Sequence, residues 1–127
     1  MLADFAAWFL VVSTMATALF QVAIILGAPL GEYAYGGSNK GVLPVRFRVA
    51  SVISALLMLG ISGHYLAQLG VFTPMLPELG NSIANWLLVG FFGLAAILNN
   101  ITKSEKEKRV FGSVTLAMLL ASVIVAI

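Results

Sequence analysis

Long apolar segments alternate with short polar ones along this chain. Four apolar runs are long enough to form membrane-spanning helices, at about 5–26, 46–69, 83–101 and 105–127. They are continuous rather than alternating, which favours helices over the strands of a barrel. The first run covers about 33 Å as a helix, enough for an apolar bilayer core of about 30 Å. The pattern predicts an all-α integral membrane protein, a single domain folded as an antiparallel bundle of four transmembrane helices.

Composition points to the same class of protein. The 127 residues are 61% hydrophobic and 9% charged, whereas about 25% of the residues in soluble domains are charged. So few charges cannot cover the apolar surface of a soluble fold of this size. The absence of cysteine excludes disulfides, thiol redox chemistry and cysteine-ligated metals. The net charge of +2 does not indicate nucleic-acid binding, because the basic residues lie at the boundaries of the apolar runs.

The basic residues predict the orientation of the helices. All seven Lys and Arg residues fall within 40–48 and 103–109, the connections after the first and third apolar runs. Short cytoplasmic loops are enriched in Lys and Arg, and acidic residues contribute little to this rule. We therefore expect both basic loops to be cytoplasmic and both termini to be extracytoplasmic, in a multi-pass protein of the plasma membrane.

Polar residues inside the apolar runs are candidates for function, since membrane helices rarely keep polar groups without a partner or a role. Ser13, Thr17 and Gln21 recur every four residues and form one stripe. The stripe either lines a substrate path or supports helix packing, which is favoured because its members are uncharged. His64, the only histidine, is followed one turn later by Gln68. This histidine is either a proton-relay group or, as we favour, a neutral side chain bonded to Gln68 or a neighbouring helix.

The connection at 27–44 is the most distinctive segment, with five glycines and two tyrosines. Its backbone amides beside basic side chains offer a site for a phosphate or a lipid headgroup. The favoured alternative is a structured turn packed on the bundle, with the basic residues as topology anchors. Two asparagines at the end of the third helix are expected to bind backbone groups of this loop. The candidate residues of the cytoplasmic loop site are Glu32, Tyr33, Tyr35, Gly36, Gly37, Arg46, Arg48, Asn99 and Asn100.

The acidic residues argue against several chemistries. All five lie at the ends of apolar runs or in loops. Proton-coupled transporters generally need an ionisable group within the membrane span, and membrane hydrolases need a nucleophile with a base. We therefore expect no catalytic residue, no cofactor and no metal site. Ser104 and Glu107 have the spacing of a capping box, which predicts the start of the fourth helix.

The glycine pattern of the first loop also carries a resemblance. The segments Gly27-Ala28-Pro29-Leu30-Gly31, Gly36-Gly37 and Gly41-Val42-Leu43-Pro44, together with 107–109, resemble a group of small bacterial four-helix membrane proteins. The resemblance spans nearly the whole chain and implies a bacterial plasma membrane. It brings no known activity, so it assigns no catalytic or binding residue.

Three functions are compatible with these observations. The favoured one is a non-enzymatic accessory or scaffold protein, in contact with membrane lipids, that forms a homo-oligomer or binds a larger membrane protein. The alternative is an oligomeric transporter or binder of a small solute or lipid, with Ser13, Thr17, Gln21 and His64 along its path. An enzyme acting on lipid headgroups through 32–35 has the least support, because no base–nucleophile spacing accompanies those residues.

Overall fold

The computed structural model describes all 127 residues. It contains four helices and no strand, and 79% of its residues are helical. The helices are α1 (Leu2–Ile25), α2 (Val45–Gln68), α3 (Glu78–Ile101) and α4 (Glu105–Ala126). Each is long and apolar enough to cross a membrane. The prediction of an all-α chain with four such helices is confirmed.

The helix boundaries differ from the expected ones mainly at the start of α3. This helix begins at Glu78, directly after Pro77, rather than near Ile83. Proline has no backbone N–H to satisfy, so it is well tolerated where a helix begins. Its carbonyl accepts a hydrogen bond from the Asn81 amide at 2.8 Å. Pro77 therefore ends the connection, and the polar residues that follow it lie within the first turns of the helix.

The helices pack in an open order. Helix α1 packs on α2 along one side and on α4 along the other, and α4 also packs on α3. The backbones of α2 and α3 stay apart along most of their length, although these two helices follow each other in the sequence. The order around the molecule is therefore α2–α1–α4–α3, with an open side between α2 and α3.

Two clusters of apolar side chains hold the fold together. The main core lies between the helices and includes the fully buried Leu10, Tyr65 and Phe92. A smaller cluster of Ile24, Ala34 and Leu43 attaches the 27–44 loop to the end of α1. The outward faces of the helices carry many exposed large apolar side chains. Such a surface is costly in water and suits a lipid environment.

Helix α4 is irregular in its second turn, which the sequence pattern did not predict. Residues Lys108–Gly112 form a π-helical turn, a geometry that is frequent at functional sites. The Asn100 side-chain amide donates to the Gly112 carbonyl at 3.1 Å. A Cβ at Gly112 would lie 2.8 Å from the Asn100 Oδ1. A larger residue at position 112 would therefore have to displace the Asn100 side chain at this contact between α3 and α4.

Candidate ligand-binding cavity

A cavity of about 280 Å³ lies between α2 and α3, at the end of the molecule covered by the 27–44 loop. Helices α1 and α4 supply its inner wall, and the loop closes it with Tyr33, Ala34 and Tyr35. Two-thirds of the lining residues are hydrophobic, 12 of 18, and the polar ones are few and convergent, as is usual in ligand sites. The six polar lining residues are Thr17, Gln21, Ser54, Asn99, Glu107 and Thr115, and the hydroxyls of Tyr33 and Tyr35 add to them.

An outer groove of about 690 Å³ adjoins the cavity and extends over the surface of α3. Both spaces are lined by Tyr35, Ser54, Phe91 and Glu107, so the groove leads into the cavity. The outer part adds exposed apolar side chains of α3 and the exposed Lys103. A small molecule that enters at the open side between α2 and α3 thus meets the apolar side chains of the groove first and the polar groups of the cavity afterwards.

Unusual backbone conformations position the loop over the cavity. Tyr35, Gly36 and Gly37 have positive φ angles of 51°, 77° and 72°, a region that non-glycine residues rarely adopt. The tyrosine is held there because its hydroxyl shares a 3.0 Å hydrogen bond with Ser51 and its ring packs on Phe47 at 4.9 Å. This left-handed turn directs the Tyr35 ring to the cavity and the following amide toward α4.

Glu107 lies where the cavity adjoins the outer groove. The capping box predicted for it forms only in half. Its amide donates to the Ser104 hydroxyl at 3.1 Å, which confirms Ser104 as the N-cap of α4. The reciprocal bond is absent, because the Ser104 amide donates instead to Thr102 at 3.2 Å. The Glu107 carboxylate accepts from the Gly36 amide at 3.2 Å. The side chain is only 6% exposed, so a residue at a helix end in the sequence is a buried carboxylate in the fold.

The start of α4 is also joined to the loop on its exposed side. The Ser104 hydroxyl donates to the Glu32 carbonyl, and the Glu32 carboxylate forms an ion pair with Lys106 at 2.5 Å. The hydrogen bond and the charge of Lys106 lower the pKa of Glu32 below its usual value. Glu32 therefore holds the loop to α4, and its carboxylate does not line the cavity.

The loop amides and arginines are committed to structural contacts. The Gly31 and Gly37 amides each donate to a carbonyl within the loop. The Gly36 amide donates to the Glu107 carboxylate. The Arg48 guanidinium donates twice to the Ile25 carbonyl, at 2.7 and 3.1 Å, and so caps the end of α1. These contacts occupy the donors of three loop amides and of Arg48, and they support the interpretation of the loop as a packed turn.

Arg46 and the two asparagines also differ from the expected loop site. Arg46 is exposed and lies over the Phe47 ring, 4.9 Å from its centre. The Asn99 and Asn100 amides donate to the α3 carbonyls of Ala95 and Ala96, at 2.8 and 2.7 Å. The expectation that they bind the loop backbone is wrong, because the nearer carbonyls of their own helix take these donors. Asn99 nevertheless lines the cavity.

The polar stripe of α1 is divided by the fold. Thr17 and Gln21 line the cavity, whereas Ser13 does not. The Ser13 and Thr17 hydroxyls donate to carbonyls one turn earlier on α1, at 2.7 and 2.8 Å. The Gln21 Oε1 is buried without a hydrogen-bond partner. Ser13 and Thr17 also line a separate, mainly apolar surface pocket of about 410 Å³ between α1 and α4. Of the stripe, only Thr17 and Gln21 therefore reach the cavity beside the loop.

His64 and Gln68 lie outside the cavity. His64 Nε2 donates to the Oδ1 of Asn85 on α3 at 2.8 Å, and Asn85 is only 5% exposed. The Gln68 Oε1 is buried and has no partner. The histidine bond thus joins α2 to α3 beyond the closed end of the cavity. The sequence offered two hydrogen-bonding partners for a neutral His64, and in the structure its partner is on the neighbouring helix rather than Gln68.

Sequence reasoning missed the aromatic character of the cavity and its carboxylate. The sequence analysis drew no inference from the phenylalanines, and the capping motif assigned Glu107 to its own helix end. One sequence feature could have indicated the carboxylate: a glycine–glycine turn and a glutamate are predicted at the same end of the bundle. The cavity is lined by six aromatic rings, those of Phe20, Tyr33, Tyr35, Phe91, Phe92 and Phe111.

Comparison of the chain with protein-family models, with curated proteins and with solved structures found no match. The resemblance of the loop pattern to small bacterial four-helix proteins therefore stays a prediction. The structure brings together no group of three or more His, Asp or Glu residues that would hold a metal ion. The chemistry of the cavity itself is the basis for assigning a function.

Proposed function

We propose that the chain is an integral protein of a bacterial plasma membrane, folded as an antiparallel four-helix bundle with both termini outside and both basic loops inside the cell. Helices of 22 to 24 residues are about 33–36 Å long, which suits a bilayer core of about 30 Å. The contacts of Glu32 with Ser104 and Lys106 support this topology, because they require the two basic loops to meet at one end of the molecule.

Labelling in intact cells tests this orientation. The chain has no cysteine of its own, so single cysteines at Lys40 and Lys106 report without background. We expect neither to react with a membrane-impermeant maleimide until the cells are permeabilised, whereas a cysteine at the exposed Leu2 should react from outside. Labelling of both loop positions from outside would overturn the orientation.

Within that frame, we propose that the protein is a non-enzymatic binder of an amphiphilic molecule, a lipid or a small solute. The observation that supports this function is the cavity between α2 and α3, continuous with an outer groove lined by apolar side chains. An amphiphile fits both parts, since its polar group meets the polar groups of the cavity and its chain follows the apolar groove. A catalytic role is disfavoured because His64, the one histidine, lies outside the cavity.

Filling the cavity tests this binding function. Ser54 lies on α2 at the wall shared by the cavity and the outer groove, so Ser54→Phe should occupy both. Leu56→Phe is the matched control, because Leu56 is on the same helix and 65% exposed. Native mass spectrometry of protein gently extracted from its own membrane should show a retained small molecule in the parent and the Leu56 variant. Retention that is unchanged in Ser54→Phe, or absent in all three proteins, would contradict the proposal.

A scaffold or accessory role is the second candidate, and one observation favours it. The most apolar stretch of α3 is 17% buried, against 28–33% in the other helices. A helix of a second copy or of a larger membrane protein would cover α3 at the same open side that receives the amphiphile. The same spectra separate the two functions: a defined oligomer or protein complex, without a small molecule and disrupted by Ser54→Phe, would favour the scaffold.

A further inference from the structure

The Glu107 carboxylate has no cationic partner in the fold. Its Oε2 accepts one hydrogen bond, from the Gly36 amide. The one ion pair of the chain joins Glu32 to Lys106, and neither Lys108 nor Arg109 forms an ion pair with Glu107. Lys103 is exposed and lines the outer groove but not the cavity. Glu107 as a residue is only 6% exposed, and a carboxylate in such a position without a countercharge is unfavourable, so a bound cation would be stabilised here.

The other walls of the cavity also suit a cation. Six aromatic rings line it, and the faces of aromatic rings attract ammonium groups within about 6 Å. The Gln21 Oε1 is a buried acceptor without a partner, and it lines the same cavity. The Glu107 carboxylate and the aromatic faces thus favour a cation over an anion, whereas the Gln21 amide and the hydroxyls of Tyr33 and Ser54 can bind either donors or acceptors.

We propose that the cavity binds an organic ammonium group through Glu107 and the aromatic rings, with the aliphatic chain of the same molecule in the outer groove. This inference rests on the proposed binding function and names its ligand class. The ammonium group belongs either to a free cationic amphiphile or to the headgroup of a zwitterionic lipid. Lys103 distinguishes the two sources, because only a zwitterionic headgroup carries a phosphate for that lysine to bind in the groove.

The test uses the full-length protein in maltoside micelles, titrated with amphiphiles of one chain length and followed by native mass spectrometry. Dodecyltrimethylammonium is the cationic probe, and dodecyldimethylphosphine oxide is its neutral counterpart. Glu107→Gln keeps the size of the side chain and an oxygen for the Gly36 amide, so it removes the charge alone. Glu105→Gln is the matched control, because Glu105 lies one residue before Lys106 on the same turn and is exposed.

Glu107→Gln should weaken binding of the cationic probe about tenfold, which is the change that 1.4 kcal/mol represents. Binding of the neutral probe should be unchanged, and Glu105→Gln should leave both probes unaffected. An equal effect of Glu107→Gln on both probes, or none on either, overturns the ammonium proposal. If Ser54→Phe abolishes binding of both probes while Glu107→Gln does not discriminate between them, the binding function stands and only the ammonium assignment fails.

Dodecylphosphocholine identifies the source of the ammonium group. For a lipid headgroup, Lys103→Gln should weaken this zwitterionic probe and leave dodecyltrimethylammonium unchanged. For a free cationic amphiphile, Lys103→Gln should weaken neither probe. Both results require that Glu107→Gln weakens binding of the cationic probe. If Lys103→Gln weakens binding of that probe as strongly as Glu107→Gln does, the assignment to Glu107 is overturned.

Discussion

Gly37→Ala tests the contact that holds the loop against α4. A Cβ at Gly37 would lie 2.5 Å from the Ser104 Cβ and 2.8 Å from its hydroxyl oxygen, far inside ordinary contact distance. Gly36 has nearly the same φ, 77° against 72°, and a Cβ there meets nothing within 4 Å. Gly36→Ala is therefore a matched control for the backbone cost alone.

The difference between the two variants follows from what Ser104 does. A left-handed alanine costs about 1–2 kcal/mol at either position. At Gly37 the new Cβ also displaces Ser104, which loses its N-cap bond to Glu107, worth about 1 kcal/mol, and its bond to the Glu32 carbonyl, worth about 1 kcal/mol. Gly37→Ala should therefore lower the free energy of unfolding by about 2 kcal/mol more than Gly36→Ala does.

Far-UV circular dichroism during unfolding measures these free energies, in maltoside micelles with a rising fraction of dodecyl sulfate. The decisive background is Ser104→Gly, which removes the two atoms nearest to a Cβ at Gly37 and leaves the Glu32 carbonyl oxygen, 3.2 Å away, free to shift. There, Gly37→Ala should cost no more than Gly36→Ala. Equal costs of the two alanines in the parent protein, or an excess cost that persists in the Ser104→Gly background, would refute the reasoning.

Three further perturbations test single contacts by the same unfolding measurement. His64→Ala leaves the buried Asn85 amide without its partner and should cost about 1–3 kcal/mol; a double variant with Asn85→Ala that shows no coupling would contradict the bond. Arg48→Met removes the side chain that caps α1 and should lower the free energy of unfolding by about 1–2 kcal/mol. An unchanged free energy of unfolding would mean that water can replace Arg48 at the Ile25 carbonyl. Because Lys106 lowers the folded-state pKa of Glu32, their pair stabilises the fold above the ordinary pKa of a glutamate and is lost as the pH falls through the lowered value. Glu32→Gln should therefore be less stable than the parent at neutral pH and equal to it in strong acid, and a gap that persists in acid would contradict this linkage.

The helices could be predicted because each depends on local sequence. Apolar runs longer than about 20 residues leave few alternatives in lipid, and their lengths alone gave the number of spanning helices. The start of α3 was placed too late because the polar residues after Pro77 interrupt the apolar pattern without interrupting the helix. The apolar pattern did not predict the π-helical turn, whose Gly112 carbonyl accepts a hydrogen bond from Asn100 on another helix.

The candidate site depends on contacts between distant residues, which explains why only part of it was predicted. Thr17, Gln21, Tyr33 and Tyr35 were selected as polar or aromatic residues in unusual places, and all four line the cavity. Glu107 was assigned to its local capping motif, but its carboxylate binds an amide 71 residues away in the sequence. The local spacing correctly predicted the bond from the Glu107 amide to Ser104. It could not predict where the Glu107 side chain points.

The open side between α2 and α3 also determines how a ligand competes for the site. In the proposed membrane arrangement, a ligand reaches the outer groove by two-dimensional diffusion within the bilayer. The relevant concentration is then its mole fraction among the surrounding lipids, and abundant lipids are always present at the entrance. Even a site of low intrinsic affinity is filled under these conditions, so what matters is the difference in affinity between competing headgroups. The buried carboxylate is the feature of this cavity that would create such a difference.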